Sequence, residues 1–361
     1  MSRRFDVAVV GAGMAGAGLA AELAPHASVL LLEAEDQPGY HSTGRSAAFW
    51  SESYGGPHVQ PLTTASGPFL RDQGLLRPRG ALHIAQDAAG RAALDAMEAA
   101  FGAKVELAPL TQAQLREAVP GLRDGWSHGL LEPSCADIDV GALHAFFLAQ
   151  ARRAGAELVT RGEVRALARS GGVWALDTAA GPFEAAVVAN AAGAWADRIA
   201  ALAGERPVGL QPFRRTLAQL RIAPPSPPHL PLVIDALGRF YFKPEAGGRL
   251  WLSPHDETAC EPCDCSAYEL DVATAIDRLE RAVDWTVERV ERSWAGLRTF
   301  APDRRPVYGF AGDGRGFFWC AGQGGFGIQT APAASHLAAD LLLGRQPALD
   351  PAPYAPGRFA N

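Results

Sequence analysis

One run near the start of this 361-residue chain constrains its fold more than any other. A β-rich stretch at residues 5–10 leads into Gly11-Ala12-Gly13-Met14-Ala15-Gly16, then an alanine-rich segment to residue 24. A second apolar run at residues 28–32 ends in Glu33, followed by Ala34. The pattern predicts strand, tight turn, helix, strand. In such a unit Gly11 permits the turn and Gly13 lets a pyrophosphate approach the backbone. Gly16 lets helix and strand pack closely. The pyrophosphate would lie on the positive helix N-terminus, beside Met14 and Ala15. Glu33 would accept from an adenosine ribose and repel a 2′-phosphate.

Three further segments decide between dinucleotides. Residues 39–48 (GYHSTGRSAA) form a polar, small-residue loop suited to an extended cofactor. Residues 187–193, with Trp195, repeat the strand-to-glycine pattern. Gln323-Gly324-Gly325-Phe326-Gly327 precedes a helix expected over 328–343. A glycine-rich helix start beside an isoalloxazine would stabilise negative charge on a reduced flavin, which a nicotinamide does not need. FAD is the expected cofactor.

These elements lie at both ends and in the middle of the chain. The expected fold is therefore α/β (α+β), with a discontinuous Rossmann-like FAD domain (1–50, 136–210, 299–361) interrupted by insertions (51–135, 211–298). Helices are expected at 88–103, after a Thr111/Gln114 capping box, at 140–153 capped by Asp139, and at 271–287. Gly67-Pro68 is read as interrupting any helix over 62–70.

Composition narrows the function. A net charge of −6 with no basic run beyond Arg304-Arg305 argues against a nucleic-acid partner. No apolar run is long enough to span a bilayer. Five cysteines, an odd number in a long chain, do not suggest a secreted disulfide framework. Arg3-Arg4 before an apolar stretch could pass for an export signal, but the glycine fingerprint and Glu22 interrupt it, so the cytoplasm is expected. Cys260, Cys263 and Cys265, with His255 nearby, invite a zinc reading. No second Cys/His pair closes a tetrahedral site, and loop thiols are the preferred account.

The segments GAGMAGAG, QPGYHSTGRSAA, ADID…ALH, VANAAGAWAD, LQPFRR, FYFKP, WAGLR and FFWCAGQGGFGIQT run over nearly the whole chain. Together they resemble the FAD-dependent D-amino acid oxidase/dehydrogenase superfamily, which includes glycine and sarcosine oxidases. Within it the chain is most similar to the bacterial D-arginine dehydrogenases. The resemblance implies FAD contacts from His41, Ser42, Thr43, Arg45, Ser46, Ala47, Ala48, Val164, Ala191, Gly193, Trp195, Arg298, Gly324, Gly325, Gly327, Ile328 and Gln329. It implies that the insertions (51–135, 211–298) form a mixed or antiparallel-sheet substrate domain, with the substrate carboxylate held by Arg215, Arg298 and Tyr241. Tyr54 would cap the site from a mobile loop, with Gly325 and Gln329 close to substrate and flavin. An arginine suits a carboxylate because its planar fork meets both oxygens. Strand alternation lets only one of Arg214 and Arg215 face inward, and Arg215 is favoured.

Two departures from the arginine-specific pattern matter. Phe49 stands where that branch has a histidine, and Ala81 where it has the glutamate that reads the guanidinium. With Trp50 they predict an apolar wall and neutral or apolar side chains, unless Glu52 substitutes as the anion. Trp251 falls where oxygen-reactive relatives carry a lysine, so electrons are expected to pass to a quinone or carrier protein rather than readily to O2. The expected reaction is oxidation of D-amino acids to imines, which hydrolyse to 2-oxo acids and ammonia. The alternatives are a glycine- or sarcosine-type amine oxidase, a flavin domain acting on modified tRNA, and a metal-regulated binding protein.

Overall fold

In the computed structural model, which describes residues 3–312, 314 and 316–359, two large sheets share the chain. The first runs Glu157–Val159, Val29–Leu32, Arg3–Val10, Gly181–Asn190 and Phe317–Ala321, all parallel. Val307–Phe310 is added antiparallel at one edge. The strands Val164–Ser170 and Val173–Thr178 pair as an antiparallel hairpin beside Gly181–Asn190. Val29–Leu32 is apolar and buried along its whole length, and the second half of Arg3–Val10 likewise, because helices cover parallel sheets on both faces. Met14–Leu23, Val140–Arg153 and Ala331–Leu342 pack on one face around Leu19, Phe147 and Leu337. Ala196–Leu202 packs on the other, beside Trp174 and Trp319.

The second sheet is mixed. Its order is Gln323–Gly324, Thr286–Phe300, Gln211–Ala223, Arg249–Ser253, Tyr241–Glu245, Leu232–Asp235, Ala81–Ala85, His128–Glu132 and Ala108–Leu110. Only the Leu232–Asp235/Ala81–Ala85 pair is parallel. The helix Glu269–Ala282 covers one face through Val272, Ala275 and Leu279. Register places His83 beside Ile234, Ile234 beside Tyr241, and Tyr241 beside Ser253. That row lies on the face opposite the helix. A small third sheet joins Phe49–Trp50 and Leu76–Pro78 to Ala136–Ile138.

Three expectations need correction. The boundary placed at 298/299 falls inside the strand Thr286–Phe300, which reaches from the second sheet to the glycine-rich turn. The helix expected at 271–287 stops at Ala282, where Val283 turns extended and the next strand soon begins. Gly67-Pro68 does not break the helix Gln60–Asp72. A Cβ at Gly67 would lie 2.9 Å from the Trp50 ring, so the glycine admits the indole. That helix, assigned above to the substrate domain, packs on Ala331–Leu342 instead.

The capping signals hold in the structure. Thr111 and Gln114 form the reciprocal box, and the Asp139 carboxylate accepts from Ala142 N at 2.9 Å. Asp139→Ala should lower the stability of the whole protein by about 1 kcal/mol, whereas Asp139→Asn should stay within about half of that. Urea unfolding midpoints measure both.

Candidate functional site

The glycine turn is as tight as its spacing implies. Gly11 has φ +99°, and a Cβ there would lie 2.5 Å from Ala191 O. A Cβ on Gly16 would lie 1.8 Å from Gly11 O, so strand end and helix start meet at backbone distance. No acidic residue occupies the first turn of Met14–Leu23, and Met14 N donates to the Thr43 hydroxyl at 3.0 Å. Glu33 is 9% exposed; it accepts from Ala12 N at 3.0 Å and Glu35 N at 3.1 Å. Its carboxylate is thereby held at the tip of the second strand.

A cavity of about 680 Å³ starts at this turn. Gly11, Gly13, Met14, Ala15, Glu33 and Ala34 line one end; His41, Ser42, Thr43, Ser46, Val164, Ala191, Gly193 and Trp195 line its length. Arg298, Gly324, Gly325, Gly327 and Ile328 line the far end. Glycine is required at Gly324, where φ is +55° and a Cβ would lie 2.2 Å from the Phe300 ring. The long, glycine-walled shape, a helix N-terminus at one end and a carboxylate beside it fit an extended dinucleotide.

Five residues expected at the cofactor do not line the cavity. Gly16 acts in packing the turn. Arg45 turns away, donating to Cys265 O at 2.7 Å and pairing with Asp264, because the 260s loop offers it acceptors that the cavity does not. Ala47 is buried against Tyr241 and Leu217, and Ala48 O accepts from Ile138 N. Gln329 points into the loop after Trp50: its amide donates to Tyr54 O at 3.0 Å and Thr63 Oγ1 at 2.9 Å, and its oxygen accepts from Ser51 N.

At the far end, four expected groups converge. A Cβ on Gly325 would lie 2.9 Å from Tyr54 Oη and 3.7 Å from Arg298 Cδ. Arg298 is 8% exposed; its guanidinium makes a long 3.4 Å contact to Leu297 O, and among the described residues it has no ion-pair partner. Burial, reinforced by Arg215, holds its pKa below the usual arginine range. Tyr241 is buried beside both arginines, and burial raises its phenol pKa. Arg215 differs from Arg298, since it already donates to Asp256 O at 2.7 Å and Glu257 Oε1 at 3.0 Å. Arg214 is buried too, against Asp271 at 2.7 Å and the Tyr268 ring. Alternation holds: Arg215 faces Tyr241 and Arg298 while Arg214 faces the helix Glu269–Ala282, and Arg214 is buried because that face is covered too.

Phe49 meets the Tyr54 and Tyr241 rings at 5.1 and 6.1 Å, and Ala81 packs in the same cluster. Trp50 does not join this wall. As the next residue along the strand it points the other way, donating to Thr63 O among Leu62 and Leu70. Glu52 accepts from Thr64 Oγ1 rather than entering the site.

Sequence reasoning missed the groups that hold the loop and the side pocket. Fully buried Glu132 accepts from Ser51 Oγ at 2.8 Å, Glu52 N at 2.7 Å and Ser53 Oγ, fixing the loop that carries Tyr54. A lone acid at the end of an apolar strand is a visible signal for such a role. Lys243 pairs with Asp137 at 2.8 Å and lies 4.9 Å from the Trp251 ring. His83 is 9% exposed and burial lowers its pKa to about 4. Nothing in the sequence distinguishes it from an ordinary strand histidine. The five cysteines are free, and among the described residues no cluster could hold a metal. Among the described residues no helix is long and apolar enough to cross a membrane.

Comparison with known proteins agrees with this geometry. The family described as DAO, FAD dependent oxidoreductase, matches residues 6–341, and the chain belongs to it. It is 31% identical to a glycine oxidase of Pseudomonas aeruginosa over 73% of this chain and 72% of that one. A glycine oxidase of Geobacillus kaustophilus is 27% identical over 98% and 97%. The crystal structure of a glycine oxidase from Geobacillus kaustophilus superposes with TM-score 0.87 at 26% identity, covering 98% of both chains. An L-proline dehydrogenase from P. horikoshii shares the fold at TM-score 0.87 and 20% identity. FAD is therefore the cofactor, and the fold class is as expected. These relatives are named glycine oxidases, so the similarity supports the family and not a D-arginine dehydrogenase branch.

Gly16→Ala forces a methyl onto Gly11 O, so FAD content after purification should fall at least about tenfold while the protein stays folded; flavin absorbance per chain measures it. For His83, the folded pKa is depressed below its unfolded value, so its contribution to stability is present above about pH 6.5. That contribution is lost as pH falls towards 4. His83→Leu should flatten the stability profile across that window in urea titrations.

Proposed function

We propose that this enzyme oxidises the Cα–N bond of a small α-amino acid, glycine or an N-alkylglycine, whose carboxylate sits on Arg298. Buried Arg298, a guanidinium with no ion-pair partner among the described residues, is the observation that carries the reading. A buried cation calls for a counter-charge, and a substrate carboxylate supplies it bidentately. The glycine oxidase relatives support the same substrate class. Tyr241 and Tyr54 offer hydroxyls beside that carboxylate. Glu132 and Gln329 hold the Tyr54 loop over Gly325, which keeps water from the site.

FAD bound along the glycine-walled cavity supplies the acceptor for the hydride leaving Cα. Gly11, Gly13, Met14 and Ala15 would hold its pyrophosphate, Glu33 its ribose, and Gly324 and Gly325 would flank its ring. The chain's part in the chemistry is orientation. The substrate amine must be neutral before it reacts, and losing its proton to water is sufficient. A pH–rate profile rising through one pKa reports that amine. Water then hydrolyses the imine to a 2-oxo acid, releasing ammonia from glycine and the alkylamine from an N-alkylglycine.

A second reading, oxidation of D-amino acids with neutral side chains, is favoured by the apolar Phe49 and Ala81 wall and by a further cavity next to Tyr54. Anaerobic bleaching of the flavin by glycine, sarcosine and a D-amino acid set separates the two readings. No bleaching by any of them would remove both.

Arg298→Met should lower kcat/KM by about 2–5 kcal/mol, with normal FAD content, because the substrate charge loses its partner. Arg215→Met should cost less, since its fork is already engaged. Equal losses in steady-state kinetics would contradict the assignment. Lys243 shares Asp137 with Arg79 and lies against the Trp251 ring; Trp251, standing where oxygen-reactive relatives carry a lysine, supports the slow-oxygen reading with a quinone or carrier protein as acceptor. Reoxidation of the reduced enzyme in air should then lag turnover with an artificial acceptor in stopped-flow measurements.

A further inference from the structure

We infer that the cavity behind Tyr54 is a side-chain subsite for an uncharged, hydrogen-bonding group, with a carboxamide as its best match and His83 as the residue that reads it. The inference rests on the second reading above, in which the neighbouring site oxidises D-amino acids with neutral side chains. The cavity measures about 210 Å³ and is lined by Tyr54, His83, Leu94, Met97, Ile234 and His255. Tyr54 is shared with the carboxylate end, and the His255 ring meets Tyr241 edge-on at 5.4 Å. Along the sheet, Tyr241, Ile234 and His83 occupy one row on three adjacent strands. Two strand spacings put His83 about 10 Å from Tyr241 backbone to backbone. A substrate anchored by its carboxylate therefore reaches His83 with a side chain of glutamine length.

His83 is 9% exposed, yet its Nε2 has no hydrogen-bond partner, whereas the His255 ring bonds the Gly238 backbone. Buried polar atoms are normally satisfied, so His83 marks a place where a ligand completes the set. Burial holds His83 neutral, at about 4, and burial with the charges of Arg215 and Arg298 holds His255 at about 3. A neutral imidazole carries one donor and one acceptor, the complement of a carboxamide. Leu94, Met97 and Ile234 bury the methylenes that lead to it.

The same surroundings disfavour charged side chains. Asp235 lines the cavity, but Oδ2 accepts from Arg239 N and Nε at 2.9 and 2.7 Å, and Oδ1 from Nη2 at 2.9 Å. A cationic side chain would face Arg215 and Arg298 without a free anion. An acidic one would need His83 protonated, which burial opposes.

The test is anaerobic reduction of the holoenzyme flavin by glycine, D-glutamine, D-norleucine, D-lysine and D-glutamate. D-Glutamine should exceed D-norleucine in kcat/KM on the order of tenfold, the worth of one satisfied buried group. It should exceed D-lysine and D-glutamate by more. His83→Leu should cut the D-glutamine-to-glycine ratio by a similar factor, and His83→Gln should restore part of it. D-Norleucine, D-lysine or D-glutamate matching D-glutamine in the unaltered enzyme overturns the subsite, whether or not the variants fold. An unchanged ratio in His83→Leu overturns the role of His83. Glycine bleaching with none from any longer amino acid overturns the subsite and leaves the glycine-type function standing. No bleaching by any of the five overturns both.

Discussion

A guanidinium held in the interior without an ion-pair partner is unfavourable unless something else in the fold requires it. Arg298 is in that state, and much of the architecture converges on it. It sits near the end of the long strand Thr286–Phe300, whose last residues pair with Gln323–Gly324. That pairing brings the edge of the mixed sheet to the glycine turn before Ala331–Leu342. The charge is thus carried to the end of the cofactor cavity by a rigid strand rather than by a loop, so its position is fixed before substrate arrives.

The loop that closes over it is fixed from two sides. Glu132 comes from the mixed sheet and Gln329 from the segment before the last long helix, and between them they engage Ser51, Glu52, Ser53 and Tyr54. Tyr54 then packs edge-on against Phe326 and Phe49. A second device joins the same two regions lower down, where Asp264 in the cysteine-bearing loop binds Arg45 and Tyr40. The cysteine spacing that invited a metal reading marks a loop whose backbone and carboxylate do this work.

Local sequence rules served well where one element answers to one neighbour. The Asp139 and Thr111 caps, the strand ends at Val10 and Leu32, and the close approach at Gly11 and Gly16 were all legible. Each depends on contacts within a few residues or on one strand–turn–helix unit. The rules fell short where a segment serves two neighbours at once. Alternation sets Arg214 and Arg215 on opposite faces, yet both are buried because the strand Gln211–Ala223 is covered on both faces. Gln60–Asp72 stays helical through Pro68 because Trp50 and Ala331–Leu342 pack against it, outweighing the break that proline favours.

By itself the sequence determined the nucleotide-binding unit, the cofactor, the two-sheet plan and most of the residues that line the long cavity. Those follow from turn geometry, periodicity and a motif set spread along the chain. Only the tertiary structure decided which arginine is unpaired, that Trp50 leaves the site, that Glu132 anchors Tyr54, and that His83 faces a cavity in the same row as Tyr241. Charge pairing and burial are properties of neighbours far apart in the chain: Arg215 finds Glu257 across a strand pair, while Arg298, also on a buried strand, finds no carboxylate among the described residues. The sequence spacing of those residues carries no record of that difference.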